Sequence, residues 1–74
     1  MSTLGQRIRA ARDKSGLTLR EVAERSGGVH LQTVWRIEAD EQVPSAGLLR
    51  ALCETLGASA DELLGLPGRK RRVR

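Results

Sequence analysis

The sequence predicts a compact all-α domain built from five helices, and three observations carry that prediction. Apolar residues recur at helical spacing, as at Leu4, Ile8 and Ala11 and along Leu48, Leu49, Leu52 and Leu56, so each segment presents one apolar stripe. A Ser or Thr stands three residues ahead of a Glu or Gln at Thr3 and Gln6, at Thr18 and Glu21, and at Ser59 and Glu62. In that pairing each side chain satisfies the other residue's backbone N–H at a helix start. Finally, Trp35 is the one aromatic residue among 74, so the core has to be assembled from Leu, Ile, Val and Ala on helices. A chain this short lies near the lower limit for folding without a metal or disulfide, and a lone Cys53 cannot form an internal disulfide.

The first helix begins at the Thr3 cap and runs to about Lys14, where Ser15-Gly16 ends it. Arg7, Arg9, Arg12 and Lys14, opposed only by Asp13, make its other faces basic. The second covers roughly residues 18–25, with Val22 and Ala23 as its apolar pair and Gly27-Gly28 as its stop. The third covers roughly 31–39 and places Val34 and Ile37, three apart, on one buried face. A loop from Asp40 to Val43 is closed by Pro44, because the residue before proline avoids helical angles. Ser45 caps a fourth helix that stops at Gly57. Ser59 opens a short fifth one that holds Leu63 and Leu64 and ends near Gly65. Pro67-Gly68 marks a boundary, so a domain of residues 1–66 precedes a tail of residues 67–74.

Two helices joined by a glycine turn between Gly16 and Glu38 read as a helix-turn-helix, and DNA binding is the function this arrangement predicts. At 100° per residue, the face of the third helix opposite Val34 and Ile37 holds Gln32, Trp35 and Arg36, with Leu31 and Thr33 at its margins. Arg pairs with guanine O6 and N7, and Gln with adenine N6 and N7. Leu31 and Trp35 have no hydrogen-bond code and suit a thymine methyl; packing against a neighbouring helix is the alternative for Trp35. The candidate base contacts are therefore Leu31, Gln32, Trp35 and Arg36. Thr33 and His30 are candidates for phosphate, with a simple capping role also open to His30.

The net charge of +4 is unevenly spread. Arg69, Lys70, Arg71, Arg72 and Arg74 lie in the last six positions, and without them eight basic residues face nine acidic ones. The tail is either a solubilising end or an arm whose Arg69, Lys70, Arg71 and Arg72 follow the phosphate backbone.

The chain resembles the Cro and lambda-repressor-type helix-turn-helix family, also called the Xre family, of bacterial and phage transcription regulators. The resemblance covers nearly all of residues 4–64. It is carried by Leu4-Gly5-Gln6-Arg7-Ile8-Arg9, Gly16-Leu17-Thr18, Val22-Ala23-Glu24, Thr33-Val34, Arg36-Ile37-Glu38, Pro44-Ser45, Leu56-Gly57 and Asp61-Glu62-Leu63-Leu64, in that order and spacing. It implies a lambda-repressor-like five-helix domain whose third helix enters the major groove of double-stranded DNA, as a homodimer on a palindromic operator. It also implies a structural ion pair between Arg12 and Glu38, and phosphate contacts at Thr18 and Leu19 where the second helix starts. Three departures from the family pattern stand out. Gly27 and Gly28 make the turn one residue longer. Leu19 replaces a polar phosphate contact, leaving only backbone N–H groups there. The loop Ala39-Asp40-Glu41-Gln42 carries two carboxylates, expected to repel phosphate, where basic residues are common.

Other functions fit poorly. One His, one Cys and no clustered carboxylates leave no set of nucleophile, base and orienter, and no P-loop or zinc spacing occurs, so neither an enzyme nor a bound cofactor or metal is expected. Cys53, at the edge of the fourth helix's stripe, reads as a small apolar residue. No N-terminal apolar segment for export and no apolar run of membrane length is present, so the expected location is the cytoplasm, on the nucleoid. The alternative to a DNA-binding regulator is a protein-interaction module, antitoxin-like or an adaptor, on the same fold. The acidic loop, Leu19 and Trp35 motivate it.

Overall fold

The structure, a computed structural model, describes residues 2–66; Met1 and the basic tail at 67–74 lie outside the described residues. Five α-helices follow one another, with no strand among the described residues: α1 Leu4–Ser15, α2 Leu19–Arg25, α3 Leu31–Glu38, α4 Ala46–Leu56 and α5 Ala60–Leu64. All three predicted capping boxes form, at α1, α2 and α5, and the Ser45 hydroxyl accepts the Leu48 N–H at the start of α4. At α2 the Thr18 N–H, donated to the Glu21 carboxylate, holds that carboxyl below its usual range. Three boundaries shift by one residue from the sequence reading: α1 continues through Ser15, Thr18 is the N-cap of α2 rather than its first residue, and Ala39 is the C-cap of α3 rather than its last residue.

The apolar stripes converge on one core of Ile8, Val22, Ala23, Val34, Ile37, Leu52, Leu56 and Leu63, which draws residues from all five helices. Helix α1 packs on α3, α4 and α5, while α2 packs on α3 and α4, so α3 is held from two sides and keeps one face outward. The long turn between α2 and α3 closes because Gly27 and Gly28 adopt φ of 95° and 74°, left-handed values that a side chain would strain. Before them Ser26 is buried, and its hydroxyl donates to Thr55 Oγ1 at 3.1 Å, tying the turn to α4.

A second tie holds α3 against α1. Gly5 is buried so tightly that a Cβ there would collide with the carbonyl oxygens of Ile37 and Glu38 and with Asp40 Oδ1. Asp40, at φ 62°, turns its carboxylate back onto the start of α1. Its Oδ2 accepts the Thr3 hydroxyl at 2.5 Å and its Oδ1 accepts the Gly5 N–H at 2.9 Å. Asp40 thus caps the positive end of α1 while keeping its charge, a role that the sequence reading of the loop did not include.

Candidate nucleic-acid interface

The short α3 is the centre of the candidate site. Val34 and Ile37 face the core, and the 100° advance per residue turns Gln32, Trp35 and Arg36 outward; all three are exposed. Trp35 keeps 49% of its surface accessible, so about half of it is open to solvent while the rest lies against the neighbouring helices. Neither the Gln32 amide nor the Arg36 guanidinium has a hydrogen-bond or ion-pair partner among the described residues. Leu31 is only half-exposed, because one side of it packs against the core, and its free side joins His30, Gln32 and Trp35 around a shallow depression. Three of the four candidate base contacts are thus exposed and the fourth stands at the edge. Thr33 is half-buried at the margin.

His30 is the N-cap of α3. Its Nδ1 accepts the Gln32 N–H at 3.1 Å, so in this tautomer the remaining ring donor is Nε2–H. At α2 the Thr18 N–H is taken by Glu21, while the Thr18 hydroxyl accepts the Glu21 N–H and keeps its own proton for donation. Leu19 is half-buried, packed toward the core, and lines a cleft with Trp35.

Arg12 and Glu38 lock this face together. Arg12 Nε and Nη2 donate to the two Glu38 carboxylate oxygens at 2.7 and 3.1 Å, and Nη1 donates to the Leu17 carbonyl at 3.1 Å. The hydrogen bond to Glu38, opposed by burial, raises the Arg12 pKa. One guanidinium therefore bridges α1, the start of the α2 segment and the end of α3.

Elsewhere, Cys53 is half-buried against the core, and burial pushes its thiol pKa up. Leu49 is half-buried in the same way, whereas Leu64 and Leu66 are 42% and 53% exposed at the end of α5. The described residues hold no group of His, Cys, Asp and Glu suited to a metal, and no helix among them is long and apolar enough to cross a membrane. Sequence reasoning missed Arg9, which lines the cleft beside Trp35 and Leu19; its i+4 spacing from Gly5 was the available signal.

Residues 3–66 match the family described as "Helix-turn-helix domain". No curated protein matches the chain in sequence. Among solved structures, the P22 c2 repressor protein in complex with synthetic operator 9T superposes with a TM-score of 0.81 at 31% identity, over 86% of this chain and 96% of that one. The clp gene regulator ClgR from Corynebacterium glutamicum gives 0.77 at 37% identity, over 81% of this chain and 63% of that one. The restriction-modification controller protein C.AhdI from Aeromonas hydrophila gives 0.77 at 28% identity, over 82% and 91%.

Proposed function

We propose that this chain, which belongs to the helix-turn-helix domain family of the Cro and lambda-repressor type, is a sequence-specific transcription regulator that lays α3 in the major groove of duplex DNA. The observation that carries the reading is the outward face of α3. It presents two unpaired hydrogen-bonding side chains, Gln32 and Arg36, around an exposed Trp35. Arg36 is assigned to guanine and Gln32 to adenine, while Trp35 and Leu31 cover thymine methyls. Thr33, the Thr18 hydroxyl, the His30 Nε2–H and the backbone N–H of Leu19 face the flanking phosphates. The chain acts as a homodimer through its C-terminal part, where Leu49, Cys53 and Leu66 are the apolar surface expected from the sequence. Leu66 is exposed and Leu64 adds to it, while Leu49 and Cys53 are half-buried. The chain acts on the nucleoid in the cytoplasm.

Selection of bound sites from random duplex DNA tests this directly. Two-fold symmetric sites are expected, with half-sites about one turn, ~34 Å, apart. At the selected site Gln32→Ala and Arg36→Ala should each lose ~1–3 kcal/mol, with non-specific binding nearly intact. Equal losses on selected and scrambled DNA would restrict these side chains to phosphate. Failure to select any site would favour the interaction-module reading, which Trp35's exposure also suits; SinR, 35% identical to this chain over 84% of it, is known in complex with the protein SinI.

A further inference from the structure

We propose that Arg9 on α1 is a further phosphate contact of this face, an inference that rests on the DNA-binding reading above. Gly5, Arg9 and Arg12 fall at i, i+4 and i+7 and so form one stripe along α1. Both ends of the stripe are pinned to α3: Gly5 lies against the Ile37 and Glu38 carbonyls, and Arg12 holds the Glu38 carboxylate. Arg9, between them, is held alongside the C-terminal half of α3. It is exposed, and with Arg12, Leu19, Trp35, Glu38 and Ala39 it lines a cleft of about 320 Å³ next to the outward face.

The charges lining that cleft do not balance. Arg12 and Glu38 neutralise each other, so Arg9 is left over, with no ion pair among the described residues. The Asp40 carboxylate in the adjoining loop is held by Thr3 and Gly5. Leu19, on the same cleft, offers no polar side chain. A guanidinium presented in this way suits an oxyanion that approaches together with α3. With α3 in the major groove, that oxyanion is a phosphate of the strand bordering the groove.

The experiment measures affinity of the full chain for a selected and a scrambled duplex between 50 and 200 mM salt. Losing one phosphate contact removes about 0.9 from the slope of log affinity against log salt, so over this fourfold range the parent should weaken about 3.5-fold more than Arg9→Gln, on both duplexes. Arg9→Met, which keeps the stem and drops the charge, should behave the same way, and Arg9→Lys should keep the parental slope. So should Arg50→Gln, which alters a remote, exposed residue of α4 paired with Glu54. An unchanged slope in Arg9→Gln, a loss confined to the selected duplex, or unfolding of both uncharged variants would each overturn the proposal. A parent that binds neither duplex in a salt-dependent way would instead bring down the DNA-binding reading itself.

Discussion

At the Arg12–Glu38 pair two charges have been taken most of the way out of water, with side-chain exposures of 14% and 7%. Glu38 lies at the C-terminal end of α3, where the helix dipole disfavours a carboxylate, so the bidentate guanidinium offsets both desolvation and dipole. Removing the carboxylate leaves the cation with the Leu17 carbonyl and Asp13, whose carboxylate is 3.9 Å away and mostly exposed. Glu38→Ala should therefore cost ~3–5 kcal/mol. For a domain of this size that lowers the melting temperature by more than about 10 °C, readable by circular dichroism. A shift within a degree would mean that the pair contributes nothing. The residue types and their family positions pointed to this pair, but the third bond, to Leu17, depends on how α1 approaches the following turn.

Among the elements, the contact between α1 and α3 leaves no room for a side chain at Gly5. Gly5→Ala places a methyl against two backbone carbonyls that cannot rotate away, so α1 and α3 must separate at a cost of ~1–3 kcal/mol. Because that contact also holds α3, binding to a selected DNA site should weaken beyond what the stability loss alone explains. Gly47, in α4 with open space around its Cα, makes the opposite case: Gly47→Ala should stabilise by ~0.4–1 kcal/mol through the unfolded chain's lost freedom. Urea unfolding of the two variants should give shifts of opposite sign. Equal effects would mean that the close approach at Gly5 relaxes without cost.

At the scale of the whole molecule, the balance of charge decides how the chain meets a polyanion. The domain has eight basic and nine acidic residues before the tail, and its basic side chains act through placement rather than through net charge. Arg69, Lys70, Arg71, Arg72 and Arg74 add five cations at one end, which we assign to the phosphate backbone. At 0.9 per contact they contribute at most about 4.5 to the salt slope. Truncation after Pro67 should leave thermal stability unchanged, because the core closes by Leu63. It should also flatten the slope by one or more units and leave sequence preference intact. An unchanged slope would assign the tail to solubility or to another partner.

Local signals alone determined the five helices, their caps and the apolar stripes, because capping boxes, glycine stops and the 3.6-residue period act over a few neighbouring residues. The outward face of α3 followed from the same period once Val34 and Ile37 were placed inward. Only the tertiary structure decided what depends on pairs distant in the chain. Asp40 read only as a loop carboxylate, and packing makes it a cap of α1, 35 to 37 residues away. Ser26 finds Thr55, Gly5 makes room for the end of α3, and Arg9 is brought beside Trp35. Spacing within a helix says which residues share its face, but which element covers that face, and so which charge remains free, is set by packing among helices.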